Sequence, residues 1–196
     1  MSPDEIVLRD YQQECVDICN SLESGSHLVQ MATGLGKTVT FSKIGRKGRV
    51  LLLSHREELV TQPVKYYSCP VGIEKAERHS HGEEVVSASV QTLANRLQRE
   101  FKPGDFDMII TDEAHHALAP SYRKIYDYLR PRLHIGFTAT REGETTEGSE
   151  RYLTISFSRK TCVGESPTVI SAILTAAGPS WTGRRRAFAP VWAISG

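Results

Sequence analysis

The chain has 196 residues, with 24 Lys and Arg against 23 Asp and Glu, a hydrophobic share of 39% and a charged share of 24%. That size suits one ordinary domain, alone or with a tail, whose core needs no disulfide or metal staple. The near-average composition excludes collagen-like, coiled-coil and wholly disordered chains. A formal charge of +1 argues against a strongly basic nucleic-acid clamp and is otherwise silent on partners.

The opening stretch MSPDEIVLRD is charged and does not read as a secretory signal. The longest apolar runs, such as Val50–Leu53, are too short to cross a bilayer, so no membrane partner is expected. Four cysteines at irregular spacing make no disulfide framework, and a soluble cytoplasmic protein is the expectation.

In chain order, Tyr11, Cys15, Ile18, Cys19 and Leu22 recur at three- and four-residue steps and predict a helix over 10–22, ended by Gly25. Cys15 and Cys19 then share its buried face. His27–Met31 reads as a strand before a Gly-rich turn, with a helix starting near Lys37. Arg49–Ser54 (RVLLLS) has the continuous apolar character of a buried parallel strand. Residues 56–67 read as helix, with Pro63 a fault in that pattern. A strand over 84–88, an amphipathic helix over 90–101, a strand over 106–111, a helix over 120–129 and a strand over 133–138 follow. The alternation predicts an α/β fold, a parallel sheet with helices on both faces.

After Arg141 the character changes. Residues 142–150 read as a polar loop, and Ser, Thr, Gly, Ala and Pro dominate beyond it. The tail holds Trp181, Trp192 and the triplet Arg184–Arg186. Residues 169–177 fit a strand or a helix equally.

Two segments carry chemistry. In Met31–Thr38 (MATGLGKT), Gly36, Lys37 and Thr38 fit a phosphate-loop pattern, although Met31 stands where the first glycine belongs. Gly34 and Gly36 let successive backbone N–H groups turn toward phosphate oxygens, and the following helix adds its positive end. Lys37 suits the outer phosphates and Thr38 suits Mg2+. In Ile110–His116 (ITDEAHH), an apolar strand delivers Asp112 and Glu113 to its carboxyl end, where open α/β sheets bind ligands. Asp112 suits Mg2+ and Glu113 suits activation of a water. The bland alternative is an acidic helix start. His115 and His116 as a zinc pair make poor geometry for one metal. Phosphate loop and acidic pair together are what nucleotide hydrolysis needs, provided the two strands are neighbours in the sheet.

MATGLGKT, TDEAHH and Gly136–Thr140 (GFTAT), in that order, resemble motifs I, II and III of superfamily-two helicases of the DEAH type. Leu8–Gln12 (LRDYQ) resembles the family's adenine-recognising segment, and Leu51–Gln62 and Ser89–Leu93 resemble motifs Ia and Ib. Type III restriction helicase-like subunits and similar DNA helicases are the nearest in character, over residues 6–141.

The resemblance implies a RecA-like domain over 1–141 that uses ATP and Mg2+ to move on or unwind nucleic acid, DNA before RNA. It implies that Arg9 and Gln12 contact adenine, and that Thr33, Gly34, Leu35, Gly36, Lys37 and Thr38 hold the phosphates. It assigns Thr38 and Asp112 to Mg2+, and Lys37, Asp112 and Glu113 to catalysis. His115, Thr138 and Thr140 would couple the nucleotide state to the nucleic-acid site. Arg56 and Thr92 would touch the phosphate backbone, a contact that carries little sequence information.

The family also uses a second RecA-like domain, which supplies an arginine to the transferring phosphoryl group. The 55 residues after Arg141 are too few for one and carry none of its signatures. Thr140 is followed by Arg-Glu-Gly rather than the expected Pro. A truncated motor with an irregular, out-of-family tail over 142–196, of the kind a frameshift leaves, is the expectation. A second chain would then complete the cleft. The rivals are a translocase that does not separate strands and a non-catalytic nucleotide- or DNA-binding fragment. A signalling or transport ATPase is disfavoured by LRDYQ and SVQTL.

Overall fold

A run that is apolar at every position is stable in a parallel sheet only when both faces are covered. The computed structural model describes residues 6–76, 78–117, 119–139, 151–159 and 168–176. Its regular elements, in chain order, are α1 (Asp10–Ser21), β1 (Gly25–Met31), α2 (Lys37–Ser42), β2 (Val50–Ser54), β3 (Val71–Glu74) and β4 (Val85–Ser89). There follow α3 (Val90–Glu100), β5 (Met108–Asp112), α4 (Pro120–Leu129), β6 (Leu133–Thr138), β7 (Arg151–Arg159) and β8 (Thr168–Ala176). They build one sheet in the order β3-β4-β2-β5-β6-β1-β7-β8. The strands from β3 to β1 are all parallel, while β7 pairs antiparallel with β1, and β8 antiparallel with β7.

The sheet separates two apolar layers, and side-chain alternation sorts each strand between them. Leu52, Ile110, Ile135 and Phe137 meet Cys15 and Cys19 of α1 and Phe41 of α2 on one face. Leu51, Leu53, Val86 and Ile109 meet Leu93 and Leu97 of α3 and Tyr122 and Ile125 of α4 on the other. Each fully buried aliphatic side chain contributes about 1.5–3 kcal/mol. The tyrosines of α4 serve this packing: Tyr122 is fully buried, and Tyr128 donates its hydroxyl to the carbonyl of Phe101 at 3.0 Å.

The structure departs from the sequence reading in three places. Residues 56–67 are not one helix but two 3-10 turns, Glu57–Thr61 and Pro63–Tyr66, because Pro63 cannot donate the hydrogen bond a helix interior needs. The short edge strand β3 was not anticipated. Within the tail expected to be irregular, 151–159 and 168–176 are strands that extend the sheet beyond β1. The segment around 169–177 therefore resolves as strand. The expected loop over 142–150, Trp181, Trp192 and Arg184–Arg186 lie outside the described residues.

Candidate nucleotide site

The Gly-rich turn follows directly from β1. Met31 is the last strand residue and its side chain is fully buried, which is why a long apolar group is accepted there. Gly34 and Gly36 both sit at φ 81°, a left-handed conformation that side chains rarely adopt. A methyl group at Gly36 would also stand 2.7 Å from Nε2 of Gln12. Lys37 opens α2, a helix of only six residues, so an anion at this turn would depend more on its backbone N–H groups than on the short helix dipole.

The segment before α1 braces this turn. Gln12 is buried; its Oε1 accepts from the Arg9 N–H at 3.0 Å and its Nε2 donates to the Leu35 carbonyl at 2.8 Å. The hydroxyl of Tyr11 donates to the same carbonyl at 3.1 Å and accepts from the exposed Arg9 guanidinium at 3.1 Å. Sequence reasoning missed Tyr11, whose helical spacing marks it only as a packing residue. Leu35 is buried, whereas Thr33 and Gly34 are exposed.

On the acidic side, Asp112 ends β5, and Glu113 turns the chain at φ 55° into a 3-10 turn, Ala114–His116. Gly136 of β6 makes room for this turn, since a methyl there would stand 2.6 Å from the Cβ of Ala114. The Glu113 N–H donates to Oδ1 of Asp112 at 3.0 Å. Burial raises the Asp112 pKa above its ordinary value. The neighbouring Glu113 charge adds to this and Lys37 opposes it.

The two clusters meet. Nζ of Lys37 lies 3.7 Å from Oε1 of Glu113. Nδ1 of His115 lies 3.3 Å from Oε2 of Glu113 and 3.1 Å from the hydroxyl of Thr138, at the end of β6. The condition that β1 and β5 be sheet neighbours is not met: β6 runs between them, so Thr138 stands between the turn and the acids. Asp112 and the half-buried hydroxyl-bearing Thr38 are hard oxygen donors of the kind Mg2+ selects, and a cation would relieve the cost of the buried Asp112 charge.

Arg56, exposed, follows β2, and Thr92, half-buried, lies in the first turn of α3 just beyond β4. β4, β2, β5, β6 and β1 are successive strands, so both residues share the carboxyl edge with the nucleotide cluster. Thr140 lies outside the described residues. His79 stands 3.4 Å from Glu74 and 3.6 Å from Glu100, away from that cluster.

A Gly-rich turn and an acidic strand end facing each other across the carboxyl edge of a parallel sheet define a RecA-like ATP-binding domain of the helicase type. Residues 5–143 match the family described as Type III restriction enzyme, res subunit, and the chain belongs to that family. The chain is 38% identical to IRC3 of Saccharomyces cerevisiae, named as an ATP-dependent helicase, over 69% of this chain and 24% of that protein. It is 33% identical to irc3 of Schizosaccharomyces pombe, named as a mitochondrial ATP-dependent helicase, over 68% of this chain and 26% of that protein. The solved Hef helicase domain of Pyrococcus furiosus superposes with a TM-score of 0.57 at 27% identity, covering 70% of this chain and 33% of that one. The chain thus spans about a quarter of the length of these curated relatives. Among the described residues no helix is long and apolar enough to cross a membrane.

Proposed function

We propose that this domain binds ATP with Mg2+ and hydrolyses it in response to nucleic acid, DNA before RNA, as the first half of a motor that translocates on or unwinds the strand. The observation that carries the reading is the 3.7 Å approach of Lys37 to Glu113, which puts a phosphate-compensating cation and a candidate general base in one site. Mg2+, when bound, would offset charge on the outer phosphates. Lys37 neutralises phosphate oxygens, Asp112 and Thr38 would hold the ion, and Glu113 orients and deprotonates the attacking water. Gln12 and Arg9 lie beside the turn, where they read the adenine edge. The pairing of His115 with both Glu113 and Thr138 supports their role in sensing the nucleotide state. Arg56 and Thr92 bind the phosphate backbone along the same edge. The restriction-enzyme family supports DNA as the polymer.

Full turnover needs an arginine from a second RecA-like domain. This domain alone is therefore expected to bind Mg2+ and ATP weakly and to turn over slowly. The test measures fluorescent ATP binding and nucleic-acid-stimulated hydrolysis for the wild type and Glu113→Gln. Binding in both, with stimulated hydrolysis only in the wild type, supports the enzyme. Binding without turnover in both supports the rival reading of a non-catalytic fragment.

A further inference from the structure

His55 is the first residue after β2 and precedes Arg56. Its ring stacks on His116, with centroids 4.5 Å apart and planes 27° apart. His116 lies 4.1 Å, ring to ring, from His115, and its N–H donates to the Glu113 carbonyl at 3.1 Å. A shift of the Glu113 backbone would therefore carry His116 with it. On its other side, Nδ1 of His55 faces Nε2 of Gln91 at 3.5 Å, and Oε1 of Gln91 accepts from the Ser89 hydroxyl at 3.0 Å. Gln91 directly precedes Thr92. The fully buried Tyr122 ring lies nearly parallel to that of His55, with centroids 6.5 Å apart and planes 13° apart.

Three chain segments thus converge on one imidazole: the acidic turn, the start of the Arg56 segment and the start of α3. We infer that His116 and His55 are positioning residues whose stack transmits the state of the nucleotide site to the segments that carry Arg56 and Thr92. The inference rests on the nucleotide and nucleic-acid reading given above. Neither histidine touches nucleotide or polymer in this scheme. Phosphates entering beside Lys37 compete for its charge, Glu113 is released, and the 3-10 turn moves as a unit. The packed rings oblige His55 and Gln91 to follow. A ring pair of this kind supports a coupling of about two- to tenfold in an equilibrium.

The test is the affinity of the 196-residue chain for a fluorescein-labelled DNA oligonucleotide, measured without nucleotide and with saturating Mg2+ and a non-hydrolysable ATP analogue. Wild type, His55→Ala, His116→Ala, the double variant and the ring-preserving His55→Phe are compared. Fluorescent-nucleotide affinity and thermal unfolding of each variant report an intact site and fold. The expected result is a nucleotide-induced change in DNA affinity that falls about two- to tenfold in each alanine variant. It falls no further in the double variant and survives in His55→Phe. Nucleotide affinity stays at the wild-type level throughout. Alanine variants that keep the wild-type response overturn the inference and leave the nucleotide site untouched. So does a wild type that binds both ligands independently. A wild type that binds no nucleotide at all overturns the underlying reading of the site, and the inference with it.

Discussion

Lys37 and Glu113 stand 3.7 Å apart across the end of β6, each on a strand connection that never touches the other in the sheet. Under the proposed function, phosphates would draw Lys37 away and leave Glu113 facing the reacting centre. Lys37→Ala should weaken nucleotide binding by at least about tenfold, through loss of a charge-assisted contact. Glu113→Gln should keep nucleotide affinity and lower hydrolysis by about 10²–10⁴-fold, the range ascribed to a general base. Titration of a fluorescent nucleotide beside a phosphate-release assay separates the two effects. Equal losses of binding in both variants would contradict the assigned roles.

Asp112 makes a sharper case, because its proposed role conflicts with stability. Its pKa is raised by burial first and by Glu113 second, so the charged carboxylate is costly in the folded state without a cation. Asp112→Asn should raise the Tm of the ligand-free protein and abolish the further rise that Mg2+ and ATP together produce in the wild type. Differential scanning calorimetry with and without both ligands reads each sign.

The two glycines of the turn should differ under the same substitution. Gly34→Ala meets nothing within 4 Å, so only its left-handed backbone opposes the change, at about 1 kcal/mol. Gly36→Ala adds a collision with the Gln12 amide. It should cost more stability and loosen the hold of Gln12 on Leu35. Urea unfolding should rank Gly36→Ala below Gly34→Ala, and nucleotide affinity should follow the same order.

Much of this arrangement was legible in the chain. RVLLLS announced a strand buried on both faces, and β2 indeed sends Leu52 to one layer and Leu51 and Leu53 to the other. Cys15 and Cys19 share the buried face of α1 that their spacing predicted. Strand order was not legible, because it depends on crossovers rather than on any local pattern; hence the place of β6 between turn and acids came only with the structure. The left-handed Glu113 was invisible too, since nothing about a glutamate signals that conformation. Its accomplice was readable in principle: Gly136, inside an otherwise bulky strand, marks a close approach by another segment. β3, four residues with a glycine at its second position, is too short for periodicity to declare. The tail strand β8 shows the ambiguity of a short apolar run, which fits strand or helix alike, whereas β7 lies in a stretch read only as irregular tail.

Acid should weaken the fold through His134. Burial, aided by the nearby His27, lowers its pKa to about 4, and its Nε2 pairs with the Thr111 hydroxyl at 2.9 Å. The unfolded chain titrates this group near 6.5, so the neutral form favours folding above that pH. The contribution, up to about 3 kcal/mol, is lost as pH falls from about 6.5 toward 4. Urea midpoints at several pH values should show the loss, and His134→Gln should flatten that part of the profile. An unchanged profile in the variant would show that His134 is not its source.

The central claim is that the turn at Lys37 and the acid at Asp112 serve one magnesium-bound nucleotide. Its most direct measurement is calorimetric titration of ATP into wild type, Lys37→Ala and Asp112→Ala, with and without Mg2+. The account predicts that Mg2+ tightens wild-type binding, that Asp112→Ala loses this tightening, and that Lys37→Ala binds weakly in both conditions. An Asp112→Ala protein that responds to Mg2+ as the wild type does would contradict it.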